Sequence, residues 1–206
     1  WETIEAARIA AEASTGVRLR WIMDGVRQFG VEPMDRVVDW AIKLQTSDSV
    51  VGIGIGGDEK TGPAHWFERP YARARAAGLH ATVHAGEIAG PDSVWDALRV
   101  LKAERIGHGL HAGADPRLIE ALAARGVVVD VCPVSNRKTG AWPTDQRYPA
   151  HNYYKSGIKL SVASDDPGIF ASDLLDQYAW LGAHGGFEFS ELRKLALNSP
   201  QLAFDR

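Results

Sequence analysis

Five short apolar runs in this chain each end in side chains able to do acid–base or metal chemistry. His84-Ala85-Gly86-Glu87 follows residues 79–83, and His108-Gly109 follows residues 105–107. Cys132-Pro133-Val134-Ser135-Asn136 follows residues 127–131, and Ser164-Asp165-Asp166-Pro167 follows residues 158–163. Gly56-Gly57-Asp58-Glu59 closes residues 50–55. Two histidines, a glutamate and adjacent aspartates suit metal-assisted hydrolysis. Neutral imidazole and carboxylate are the ligands a catalytic zinc-type ion uses while one position stays open for water. Such an ion lowers the pKa of that water to about 7, making a nucleophile at neutral pH. A further carboxylate can then protonate the group under attack.

Each of these residues also has an ordinary reading. His65, His80, His111, His151 and His184 read as capped or solvent-facing histidines. His108 stands apart because the flanking glycines allow a close backbone approach. Asp165-Asp166 before a proline is equally a turn or a helix N-cap. Cys132 reads as a small buried residue, and Gly56-Gly57 lacks the Lys-Ser or Lys-Thr of a phosphate loop. The case rests on the set, placed at successive strand ends.

The elements that position the set alternate. Strands are predicted at 17–23, 50–55, 79–83, 105–107, 127–131 and 158–163, and helices at 34–44, 66–77, 91–102, 116–125, 172–181 and 190–196. Pro91 suits a first helical turn; Gly78 and Gly126 suit helix ends. Residues 133–149 read as a loop leading to a short helix before Gly157. Unbroken βα alternation means a parallel sheet with helical crossovers, either doubly wound or a (β/α)8 barrel lacking some units. In both, the ends of the strands share one face, so the five segments converge in space. No linker or domain boundary divides residues 1–206.

The chain has 206 residues, 45% hydrophobic and 24% charged, with a formal charge of -3. No block of like charge suggests nucleic-acid or membrane-surface binding. No apolar stretch approaches the roughly 20 residues that span a bilayer. One cysteine excludes an internal disulfide and a CxxC zinc ribbon and predicts a reducing, cytoplasmic compartment. Residues 1–13 are charged and helix-patterned, unlike a signal peptide. The chain lacks an initiating methionine, and the expectation is that it starts elsewhere than the natural product.

The four strings around His84, His108, Cys132 and Asp165, in this order and spacing, resemble the adenosine deaminase family. The likeness runs from about Gly16 to the end, through Gly57-Asp58-Glu59 and Asn198-Ser199. The resemblance implies a (β/α)8 barrel of the metal-dependent hydrolase type that releases ammonia from a 6-aminopurine nucleoside, adenosine first among candidates. Zn2+ would be held by His84 and Asp165. Glu87 would donate a proton to the purine ring nitrogen, which needs a raised carboxyl pKa. His108 would orient the attacking hydroxide, Asp166 would bond the imidazole edge of the purine, and the backbone of Gly57 would meet the ring.

Two departures from the family pattern stand out. The His-x-His pair that supplies two further metal ligands is absent, so about six βα units are expected here and the first two strands lie outside this chain. Gly54 stands where adenosine-specific members often carry an acid. The run Gly52-Ile53-Gly54-Ile55-Gly56-Gly57, with Gly90-Pro91 and Trp95-Asp96-Ala97-Leu98, looks more like the aminodeoxyfutalosine deaminases of menaquinone synthesis. Other readings are a hydrolase of the same superfamily acting on adenine base or an amide, and a non-catalytic purine-binding remnant. A cytidine-type deaminase is excluded, since it needs a Pro-Cys-x-x-Cys ligand set.

Overall fold

A computed structural model describes residues 1–47 and 49–204. Strands β1 (Trp21–Val26), β2 (Val50–Gly56), β3 (His80–Ala85), β4 (Arg105–His108), β5 (Val128–Val131) and β6 (Lys159–Val162) pair in sequence order, each parallel to the next. Between and around them lie α1 (Glu2–Thr15), α2 (Val31–Leu44), α3 (Glu68–Ala76), α4 (Pro91–Asp96), α5 (Pro116–Arg125), α6 (Pro133–Lys138), α7 (Ala150–Lys155), α8 (Pro167–Phe170), α9 (Leu174–His184) and α10 (Phe189–Asn198). A π-helical turn, Ala97–Leu101, extends α4.

An order that never reverses decides between the two architectures, because a doubly wound sheet must switch direction from its middle strand. The fold is therefore an incomplete (β/α)8 barrel of six consecutive units. Among the described residues β1 and β6 each have a single neighbour.

The strands separate two environments. Along β3 exposure alternates, with Ala81, Val83 and Ala85 buried and His80, Thr82 and His84 partly open. Side chains alternate faces along a strand, so the alanines and valine pack under the helices while the histidines and threonine point into the barrel. The outer layer is apolar: Val38 and Ala41 of α2, Tyr71 and Ala74 of α3, and Leu118 and Leu122 of α5 are fully buried. Burying a leucine or valine contributes about 1.5–3 kcal/mol, so this layer is what holds the open barrel together. β2 is buried along its whole length. Its glycines permit that, since a Cβ on Gly52 would sit 2.9 Å from the His80 carbonyl oxygen.

The helix predicted at 116–125 matches α5, with Asp115 accepting from the Arg117 amide at 3.0 Å and Gly126 ending it at φ 65°. Other bounds move. β1 begins at Trp21 rather than 17 and runs through Asp24-Gly25, which pair with Gly54 and Ile55. The expected loop at 133–149 holds a helix, α6, started by Pro133. No helix among the described residues is long and apolar enough to cross a membrane.

Candidate active site

His84 reaches the barrel interior because it lies in phase with His80 and Thr82 on β3. Its neighbour in register is Gly107. A Cβ there would come 3.2 Å from the His84 ring, so glycine is what admits the imidazole. One step on, His108 ends β4 beside Ala85, and the two imidazoles are 5.0 Å apart, tilted by 51°. His108 has a positive φ of 65°, as has Asp165 at 59°. Left-handed backbone at non-glycine residues costs on the order of 1–3 kcal/mol and clusters at functional sites.

His108 is 3% exposed. Its Nδ1 is 2.9 Å from Nδ2 of Asn136, and the Tyr148 hydroxyl donates to Asn136 Oδ1 at 2.7 Å. With the amide oxygen engaged, the Asn136 NH2 faces His108, so Nδ1 accepts and the ring proton sits on Nε2. That Nε2 points toward Glu87, 3.6 Å from Oε2. Burial, reinforced by the neighbouring His84, lowers His108 to about 4, against the pull of Asp165. The imidazole is therefore neutral at pH 7.

Glu87 is half-buried at the end of the turn leaving β3. Burial pushes its carboxyl above the usual range, His84 opposes this, and Asp165 and Glu59 add to the rise. The turn itself is anchored. Glu59, 4% exposed, accepts from the amides of Ile88 at 3.0 Å and Ala89 at 2.6 Å, and from the Ser93 hydroxyl at 3.2 Å. Behind it the buried Arg27 guanidinium donates to the Gly62 carbonyl at 2.9 Å and to the His84 carbonyl at 2.5 Å. Burial holds the Arg27 guanidinium below its ordinary value, and the charge of Glu59 opposes this.

Asp165 leaves β6 with its Oδ2 accepting from the Ser135 hydroxyl at 2.5 Å. A cavity of about 670 Å³ is lined by His84, His108, Cys132, Asp165 and Asp24, and extends down the barrel past Arg105 and Asp130. Asp166 is exposed at the rim as the residue before α8. Gly57, at φ 94°, follows β2 against the Gln28 side chain. The structure thus lines one cavity with His84, His108 and Asp165 and sets Glu87 beside His108, while Glu87, Gly57 and Asp166 are outside the residues that line the cavity.

The adenosine deaminase family model matches residues 1–205. The chain belongs to the adenosine deaminase family. It is 38% identical to an aminodeoxyfutalosine deaminase of Streptomyces avermitilis over 98% of this chain and 57% of the relative. It is 36% identical to an adenine deaminase of Agrobacterium fabrum over 97% of this chain and 61% of the relative. A crystal structure of an amidohydrolase from Burkhoderia ambifaria with bound Zn superposes with a TM-score of 0.88 at 30% identity, covering 97% of this chain and 56% of that one. The chain spans a little over half the length of the relatives it matches, and the two from Streptomyces avermitilis and Agrobacterium fabrum are deaminases.

For this member of the family the donor set can be tested against a zinc-type ion. Among the described residues, the set of three donors lying within 4.8 Å of one another is His108, Cys132 and Asp165, without His84. Cys132 is a poor member. Burial, then the charges of Asp165 and Asp130, push its thiol well above the ordinary range, so it is protonated, and thiolate is the ligating form. His84 offers a better donor, an imidazole that lines the same cavity as His108 and Asp165. Imidazole and carboxylate on one rim fit the ion. Arg27, Glu59, Asn136 and Asp24 are participants to which the sequence assigned no role. Glu59 and Asn136 lie inside the strings that follow β2 and β5, whereas Asp24 lies in β1 one residue beyond the strand predicted at 17–23.

Proposed function

We propose that this chain forms six units of a single deaminase catalytic domain, residues 1–206 all belonging to it, that hydrolyses the 6-amino group of a purine nucleoside. The observation that carries this is Glu87 beside His108, a carboxyl held above its usual range 3.6 Å from a neutral imidazole. Burial favours the uncharged form of both groups, a carboxyl that can donate a proton beside an imidazole whose N–H can direct an oxygen.

His84 and Asp165 would hold Zn2+, Asp165 being steadied by Ser135. When bound, the ion supplies a water acidified enough to attack at neutral pH. Glu87, protonated, donates to the ring nitrogen beside the attacked carbon and so makes that carbon electron-poor. His108 Nε2–H donates to the attacking oxygen and fixes its direction. Asp166 would accept from the imidazole edge of the purine, and the Gly57 backbone would meet the ring from the β2 side. Ammonia leaves and the 6-oxo purine remains. The lone, buried Cys132 fits a reducing, cytoplasmic compartment, and the partner is a small molecule.

A second substrate has its own support. The glycine run 52–57 and the 38% identity to an aminodeoxyfutalosine deaminase favour that nucleoside beside adenosine. The zinc-loaded, full-length natural protein, given adenosine, aminodeoxyfutalosine and adenine in parallel, is expected to release ammonia from at least one nucleoside. Ammonia from none of the three ends the proposal, and ammonia from adenine alone overturns the nucleoside part.

A further inference from the structure

One carboxylate in the barrel is unused by the mechanism above. Asp24 lies in the middle of β1, in register with Gly54, on the same inward face as Ile22 and lining the cavity with His84. Two glycines of β2 make its room. A Cβ built on Gly54 falls on Asp24 Oδ1, and one built on Gly56 would sit 3.3 Å from Asp24 Oδ2 and 3.5 Å from His84 Nδ1. Asp24 Oδ2 and His84 Nδ1 therefore line one hollow, over Gly56. His84 Nδ1 is one of the buried nitrogens left without a partner among the described residues, and no side chain among them donates to the Asp24 carboxylate. Asp24 is exposed on the open side of the sheet, and it faces glycines on the next strand.

We propose that Asp24 is a positioning residue of the metal centre: reaching over Gly54 and Gly56, its carboxylate accepts the Nδ1 proton of His84 and leaves Nε2 free for the ion. This rests on the assignment of His84 as a ligand. The chemistry is that of metal-bound histidines generally, which donate their second ring N–H to a carboxylate or carbonyl and lose roughly 10–100-fold in metal affinity without it. Because Gly54 and Asp24 compete for one space, an acid at position 54 would deliver the same group from the adjacent strand.

The test is zinc titration of the full-length protein, with far-UV circular dichroism as the check on folding. Asp24→Asn, nearly isosteric, is expected to bind zinc about 10–100-fold more weakly while its metal-free fold is unchanged. Asp24→Gly should lose at least as much. The exchange Asp24→Gly with Gly54→Asp should recover zinc affinity to within a few-fold of the natural protein, whereas Gly54→Asp alone should fold poorly. Unchanged zinc affinity in Asp24→Asn overturns the proposal, provided His84→Ala loses zinc. If His84→Ala keeps full zinc affinity, the metal assignment itself has failed, and Asp24 with it. A folded exchange variant that stays as weak as Asp24→Gly would also overturn it.

Discussion

Glu87 and His108 sit 3.6 Å apart, and burial drives both toward their uncharged forms. For Glu87 the consequence is a carboxyl that keeps its proton to higher pH than an ordinary glutamate. Glu87→Gln keeps the shape and removes the transferable proton, so turnover should drop by about 10²–10⁴ while zinc content, measured by atomic emission, stays at the natural level. Loss of zinc would put Glu87 on the ion instead. For His108 the consequence is a pH-dependent stability. Its folded pKa of about 4 lies below the ordinary value of about 6.5, so between those values the unfolded chain binds a proton that the folded one refuses. The stability from a neutral His108 is complete above about 6.5 and disappears as pH falls toward 4. From pH 7 to pH 5 the metal-free protein should lose about 2 kcal/mol more than His108→Gln does. Urea unfolding at the two values measures it, and equal losses would mean that His108 titrates normally.

The elements matter as holders of these groups. The turn carrying Glu87 has no regular structure of its own between β3 and α4, and Glu59 supplies three hydrogen bonds in its place. Glu59→Ala strands two amides and a hydroxyl. At about 1–3 kcal/mol for each unsatisfied group, it should destabilise the fold by roughly 3 kcal/mol, and a Glu87 displaced by about 1 Å should cost about 10²-fold in turnover. Glu59→Gln retains one acceptor oxygen and should fall between; calorimetry and initial rates would show whether the two losses move together. The same elements show what the sequence reveals. βα alternation and the polar strand ends were legible because they recur locally: α5 with its Asp115 and Gly126 caps, and the strings after β3 to β6. The end of β1 was not, since Asp24-Gly25 looks like a turn until Gly54 and Ile55 pair with it. Helix α6 was hidden because six residues among turn-formers show no period. Asp24, Arg27 and the Tyr148–Asn136–His108 chain depend on side chains from distant segments meeting, and no local pattern encodes that.

For the molecule as a whole, the open side of the barrel sets its behaviour. β1 offers an unpaired strand edge among the described residues, with Ile22 and Val26 each 39% exposed. Helix α1 adds the exposed Ile4 and Ile9 nearby in sequence. Unpaired, apolar strand edges recruit other strands, and the two ligands proposed, His84 and Asp165, are fewer than the three protein side chains that a catalytic zinc site ordinarily supplies. A polypeptide of these 206 residues alone should therefore self-associate as its concentration rises and bind zinc weakly. A polypeptide extended by a segment matching the additional length of its relatives should stay monodisperse and hold zinc firmly. Light scattering across a concentration series, with a zinc titration of the same samples, separates the cases. A short polypeptide that remains monodisperse and takes up one zinc as tightly as the extended one would mean that six strands already make a complete site, with the edges of β1 and β6 protected by the fold itself.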